Sequence, residues 1–259
     1  MNVTESGPAS APTIVFLHGR GLGGWSWRRQ VEAFQADYHC LVPDLPGHGQ
    51  TDELGPFSIT AAATQVARLI HERAHAGRAH LVGLSLGAQV GVAVLAVAAR
   101  LVDRAVFSGA SVRPYPASDL IEPVLWLYAP FKNIPFVIRA NQRRLGVPPE
   151  YAAEFAAETR RAKIGELAQV IGASLRFEVP PGLTRLKNPT LVLVGDKEPR
   201  IMRRSARRLA ASMAGGSANL VRGMTHNWPM AAPELFNQTV RAWLEAQPLP
   251  PELGPVPRT

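Results

Sequence analysis

The run Ala79-His80-Leu81-Val82 passes directly into Gly83-Leu84-Ser85-Leu86-Gly87, and an apolar helical stretch from Leu86 to Ala99 follows at once. An aliphatic strand that must become a helix within a few residues makes a sharp, crowded turn. Glycine two residues either side of the serine leaves room for that turn, which projects the hydroxyl out of the sheet. The rest of the chain repeats the same alternation. Short β-branched runs predict strands at Thr13 to Leu17, His39 to Val42, His80 to Gly83, Ala105 to Ser108, Thr190 to Val194 and Asn219 to Val221. Between them, Trp25 to Ala36, Thr60 to Ala76, Leu86 to Ala99, Met202 to Met213 and Pro233 to Ala246 read as helices. Strand and helix in turn predict an α/β fold with a mostly parallel central sheet and helices on both faces.

The alternation stops once. From Ser111 to Leu183 no strand pattern is visible, and Pro-punctuated amphipathic stretches run over Leu120 to Lys132, Pro135 to Leu145 and Glu150 to Leu175. Residues 111–183 are therefore expected to form an all-helical cap inserted between two strands, over the carboxyl edge of the sheet, with 1–110 and 184–259 as the core. The Pro-rich tail, 248–259, is expected to be extended or mobile.

Composition limits the function classes. At 46% hydrophobic and 19% charged residues the chain is that of a globular protein. Its longest apolar run, Val90 to Ala99, is too short for a membrane span. No basic segment followed by an apolar one opens the sequence, so a cytoplasmic location is expected. The net charge of +8 rests on arginines scattered along the chain. Only Arg200, Arg203, Arg204, Arg207 and Arg208 fall at helical spacing, and without interleaved aromatic residues they read as a solvated face, not a nucleic-acid site. Cys40 is the only cysteine, which excludes an internal disulfide, a CxxC pair and a cysteine-rich zinc site; in its apolar run it reads as core.

Ser85 is the candidate nucleophile. A serine hydroxyl needs a base, normally a histidine held by a carboxylate. His226, in a turn-rich loop between the last strand and the last helix, is the candidate among seven histidines. His71, His75 and His80 sit on a helix and at a strand entrance, His39 opens a strand and reads as structural, and His18 and His48 stand in glycine-containing loops where they line a pocket or brace backbone. The acid belongs in Gly195-Asp196-Lys197-Glu198, where both Asp196 and Glu198 are available; a short acid such as Asp196 also commonly caps a turn. The amide of Leu86, at a helix N-terminus, is placed to stabilise an oxyanion.

Together with His18-Gly19 after the first strong strand and Asp44-Leu45-Pro46-Gly47-His48-Gly49 after the second, these features resemble the α/β-hydrolase fold superfamily, specifically its serine-nucleophile, esterase-like members with a helical cap. The resemblance runs over nearly the whole chain and includes the order serine, acid, histidine. It implies that the acid is the third residue after the loop glycine, Glu198, where aspartate is usual. It also implies a second oxyanion donor in the backbone N–H of Arg20. Trp126, Tyr128, Phe131 and Phe136 of the insertion are candidates to contact substrate. The expected activity is hydrolysis of carboxylic esters with small to medium apolar acyl or aryl groups, through an acyl-enzyme, on a small-molecule substrate and with no metal or organic cofactor. Lactone, thioester and carbon–carbon bond cleavage are the alternatives within the fold, and a non-catalytic ligand-binding protein is the alternative outside enzymes. A dinucleotide reading also exists. Gly19-Arg20-Gly21-Leu22-Gly23-Gly24 fits G-x-G-x-x-G, and Asp44 lies where a ribose-binding acid would, which would make an NAD-dependent oxidoreductase. Trp25-Ser26-Trp27 is a poor start for the helix such a motif needs, and no Tyr-x-x-x-Lys pair is present.

Overall fold

The computed structural model describes residues 1–49, 57–114 and 121–257, with the backbone alone at 121 and 122. Eight strands form one sheet: β1 (Val3–Ser6), β2 (Thr13–Leu17), β3 (His39–Pro43), β4 (Ala79–Leu84), β5 (Val102–Ser108), β6 (Thr190–Gly195), β7 (Gly216–Val221) and β8 (Leu253–Pro255). Their order is β1-β3-β2-β4-β5-β6-β7-β8. The inner pairs are all parallel, and β1 and β8 close the two edges antiparallel. The fold is the α/β architecture that the strand and helix alternation predicts.

Alternate residues of each strand enter two separate cores, as the two-residue period of a strand requires. Val15, Leu17 and Phe107 pack on one face under α2 (Ile59–Arg73), α3 (Leu86–Ala98) and α8 (Arg200–Ala211). Ile14, Phe16, Val82 and Leu193 pack on the other under α1 (Arg28–Phe34) and α10 (Pro233–Leu244). On that second face Trp27, Phe236 and Trp228 form a chain of ring contacts, with centroids 5.7 and 4.9 Å apart. Trp228 opens α9 (Trp228–Ala231), a short helix that the sequence reading missed. Removing a buried tryptophan of this kind costs about 3–5 kcal/mol, so these rings fix where the chain after β7 runs.

Among the described residues four α-helices separate β5 from β6: α4 (Ile121–Tyr128), α5 (Pro135–Leu145), α6 (Ala152–Arg161) and α7 (Ile164–Leu175). The expected start of the first of them, Leu120, lies outside the described residues. The stretch read as continuous from Glu150 to Leu175 is broken at Ala162 and Lys163, where the backbone turns extended. The reason lies in the turn before α5. The Lys132 ammonium donates to the carbonyls of Thr159 and Arg160, which a continuing helix would give to the amides of residues 163 and 164.

The tail is extended and joins the sheet. Leu253–Pro255 pairs with Asn219 to Val221, and Val256 is 8% exposed against the α2, α3 and α8 core. Pro255, which lacks an N–H, sits on an edge strand where that costs little. Arg258 and Thr259 lie outside the described residues. His39 braces the opposite edge: its ring is hydrogen-bonded to Thr13 and to Glu5 of β1, and Glu5 also pairs with Arg73 of α2. The His39 contact is the main cause that lowers the Glu5 carboxyl below its ordinary range. Cys40 is buried in the core, which pushes its thiol up to about 12.

Candidate active site

Ser85 follows the last residue of β4 and precedes the first residue of α3, with φ 55° and ψ −112°. A non-glycine residue at positive φ is strained by about 1–3 kcal/mol. The hydrogen bond from the Ser85 amide to the Ser108 carbonyl, 2.8 Å long, holds it there. The flanking glycines answer to close backbone approach. A Cβ on Gly87 would stand 2.0 Å from the Leu17 carbonyl oxygen, and one on Gly83 would stand 2.8 Å from the Ala88 Cα. Leu86, fully buried, is the first helical residue of α3, so its amide is among those with no acceptor inside the helix.

The histidine and the acid come from two stitched loops. Asp196 and Lys197 donate their amides to the carbonyls of Val221 and Met224. Glu198, 4% exposed, accepts from the Gly195 amide at 2.9 Å through Oε1 and contacts the His226 Nδ1 at 2.6 Å through Oε2. A carboxylate can only accept, so the proton is on Nδ1 and Nε2 is left as the basic nitrogen. Asp196 makes no contact with His226; its Oδ1 is buried without a partner and its carbonyl accepts from Arg203. Of the two acids open to the sequence, the geometry joins Glu198 to the histidine.

Three residues that the sequence reading passed over place the ring. Gly109, at φ 65°, lies under it: a Cβ there would be 2.6 Å from His226 Cε1 and 2.8 Å from Nδ1. The Trp228 indole N–H donates to the Ser108 hydroxyl at 2.8 Å, and the Asn227 side-chain amide donates to the Leu145 carbonyl at the end of α5. Ser108 thus touches both the serine turn, through its carbonyl, and the histidine loop, through its hydroxyl. A glycine directly after a β-strand, in Ser108-Gly109-Ala110, was the one signal for Gly109 in the sequence.

Ser85 and His226 share the wall of a cavity of about 370 Å³. No hydrogen bond joins them among the described residues. Arg20 lines the same cavity from the loop after β2. Of the four aromatic candidates only Tyr128 lines it, with its hydroxyl accepting from Asn141 at 2.7 Å. Trp126, Phe131 and Phe136 are instead 57%, 52% and 71% exposed and are absent from the wall. Helical spacing carries no information about which face of α4 turns inward, and here Leu125 and Tyr128 do. Leu145, Phe155 and Ile171 extend the apolar wall, while Lys132, Arg144 and Glu158 add charge that the sequence reading did not foresee. Burial raises the Glu158 carboxyl and lowers the Lys132 ammonium from their ordinary values.

His18 and His48 brace the loops beside Ser85. The His18 Nδ1–H donates to the Gly19 carbonyl and its Nε2 accepts the Leu45 amide, both at 2.9 Å. His48 packs edge-on against it at 5.0 Å and also lines the cavity. Asp44 is not a nucleotide ligand here: its Oδ1 accepts the Gly24 amide at 2.9 Å and its Oδ2 the Asn2 side chain at 3.1 Å. The glycine run leads into a short 3-10 turn over Gly24–Trp27, not into a long helix whose N-terminus would hold a pyrophosphate. These two facts correct the dinucleotide reading. Among the described residues no group of three His, Cys, Asp or Glu side chains is close enough to hold a metal ion, and no helix is long and apolar enough to cross a membrane.

Comparison with known proteins gives the family and the fold. The chain is 26% identical over 245 residues to (E)-2-((N-methylformamido)methylene)succinate hydrolase of Acinetobacter baylyi, covering 91% of each. It is 27% identical over 252 residues to an AB hydrolase superfamily protein of Gibberella zeae, covering 95% of this chain and 84% of that one. Among solved structures it shares the fold of the enol-lactonase from Burkholderia xenovorans, at a TM-score of 0.79 and 23% identity over 94% of this chain and 96% of the other. It likewise shares that of a thermophilic esterase from Thermogutta terrifontis, at 0.76 and 24% over 95% and 93%. The profile of the alpha/beta hydrolase family matches residues 14–239, and the chain belongs to that family.

Proposed function

We propose that the protein is a serine hydrolase that cleaves carboxylic esters with small to medium apolar acyl or aryl groups. The observation that carries the reading is the buried Glu198 carboxylate, hydrogen-bonded to the His226 Nδ1 beside a cavity that a strained Ser85 also lines. In this reaction the Ser85 Oγ attacks the ester carbonyl and His226 Nε2 takes its proton. The developing oxyanion accepts from the backbone N–H groups of Arg20 and Leu86. The imidazolium is stabilised by Glu198 and then gives its proton to the departing alcohol. Water, deprotonated by the same nitrogen, releases the acid and restores Ser85. The four helices between β5 and β6 act as a cap whose Leu125, Tyr128, Phe155 and Ile171 receive the apolar group.

The test is release of p-nitrophenol from acetyl to octanoyl esters by the wild type and by Ser85→Ala. The reading expects a loss of about 10⁶ in turnover for the variant. Near-wild-type turnover in Ser85→Ala overturns it, and turnover of lactones without any of p-nitrophenyl esters moves the substrate class to cyclic esters.

A further inference from the structure

Seven large hydrophobic side chains are exposed among the described residues, and six of them fall between positions 124 and 136. They are Val124, Trp126, Leu127, Phe131, Ile134 and Phe136, with Leu127 76% and Phe136 71% accessible. Scattered single exposures are ordinary, but a run of this kind on one part of a surface marks an interaction site. Val124 also lines the cavity, while Trp126, Leu127, Phe131, Ile134 and Phe136 are absent from its wall and run from α4 to the start of α5. Leu125 and Tyr128 of the same short helix face the cavity, so α4 is a single layer between the cavity and this patch.

The exposed charge on the α5 side of the patch is positive. Between Pro123 and Pro148 the chain has no aspartate or glutamate, and of its four cations Lys132 and Arg144 line the cavity while Arg139 and Arg143 do not. Arg139 and Arg143 follow Phe136 at three and seven residues, on the exposed side of α5, opposite the buried Ile138 and Gln142. Arg139, Arg143 and Arg144 make no ion pair among the described residues, in contrast to Arg28, Arg73, Arg78 and Arg241 elsewhere.

We propose that this face docks on an anionic phospholipid surface. Such a surface offers an apolar layer for Trp126, Leu127 and Phe136 and, just above it, phosphates for the arginines, which is the composition by which interfacial helices bind membranes. A second copy of the chain fits poorly, because an isologous contact would set Arg139 and Arg143 against the same two cations of the other copy. Docking holds α4, the wall of the cavity, against the lipid phase in which an apolar ester concentrates. That last consequence rests on the ester reading; the docking itself does not.

The experiment is flotation of the full chain with vesicles of phosphatidylcholine alone and with roughly one-third phosphatidylglycerol. Binding is expected on the anionic vesicles only and falls as salt rises. The variant Trp126→Ser/Leu127→Ser/Phe136→Ser is expected to stay unbound, and Arg139→Gln/Arg143→Gln to bind about 30-fold more weakly, at about fivefold per arginine. None of these five side chains lines the cavity. Brominated lipid is expected to quench the exposed Trp126, and Trp126→Phe to remove that quenching. No flotation of the wild type overturns the proposal, as does flotation equal in all variants, which would assign binding to charge elsewhere on the chain. A dimer that the apolar variant abolishes, with no vesicle binding, overturns it in favour of a second copy. Flotation is read without turnover, so loss of the ester reading leaves its result standing.

Discussion

Protonation of His48 is a measurable cost of building the cavity wall from buried imidazoles. His48 is 5% exposed, its Nδ1–H donates to the Pro46 carbonyl at 3.2 Å, and the His18 ring lies edge-on at 5.0 Å. Burial, reinforced by His18 and Arg20 and opposed by the Pro46 carbonyl and Asp44, depresses the imidazolium from 6.5 to about 3. A group with a depressed folded pKa adds stability above its unfolded pKa and loses it as pH falls, because the unfolded chain then binds the proton that the folded one refuses. Between neutral pH and about pH 4.5 the loss from His48 is about 2–3 kcal/mol, from about two pH units at about 1.4 kcal/mol each. His18 is depressed in the same direction by its complete burial, against the opposing Gly19 carbonyl and Asp44. Glu158 acts with the opposite sign, its raised carboxyl favouring the fold as pH falls. Differencing two proteins removes such shared terms. Urea unfolding of wild type and His48→Asn at both pH values is therefore the assay, and the wild type is expected to lose about 2–3 kcal/mol more than the variant. Equal losses in the two proteins would refute the reasoning, whatever the variant's stability at neutral pH.

Glu198→Gln is expected to lower kcat by about 10⁴, through loss of the tautomer that leaves Nε2 basic, while Asp196→Asn stays within a few-fold of wild type; the reverse order would hand the acid's role to Asp196. Gly109→Ala sets a Cβ 2.6 Å from His226 Cε1 and is expected to displace the ring and cost about 100-fold in kcat, with a modest loss of stability from the positive φ. Unchanged kcat in a folded Gly109→Ala protein would show that the ring position does not matter. Truncation after Gln247 removes β8 and the buried Val256 and is expected to lower stability by about 2 kcal/mol in thermal or urea unfolding; an unchanged midpoint would mean that the tail contributes nothing.

The inner strands were legible because most are short apolar runs whose alternate residues serve two cores, a pattern written in adjacent positions. The serine turn was legible for the same reason: Gly83, Ser85 and Gly87 are constrained by contacts within a few residues and with Leu17. β1 and β8 were not, since Val3–Ser6 and Leu253–Pro255 are short and polar or Pro-containing and owe their form to an edge partner far away in the chain. The choice between Asp196 and Glu198 could not be made from spacing alone, because it depends on Gly195 and Met224 bending the loop toward His226. The aromatic candidates divide, with Tyr128 on the cavity wall and the other three off it, where the period is ambiguous. α4 is only eight residues long with apolar side chains on both its surfaces, so Tyr128 faces inward while Trp126 faces out. The break between α6 and α7 was hidden for a related reason, since the lysine that ends α6 lies on the preceding part of the insertion.

The central claim is that Ser85 is a nucleophile activated by His226 and Glu198. The most direct measurement is reaction of the native protein with a fluorophosphonate, with the modified residue located by peptide mass spectrometry and Ser85→Ala run beside it. The account predicts one adduct, on Ser85, absent from Ser85→Ala and slowed strongly in His226→Ala. A protein that stays unlabelled while folded, or that carries its label on another residue, would contradict it.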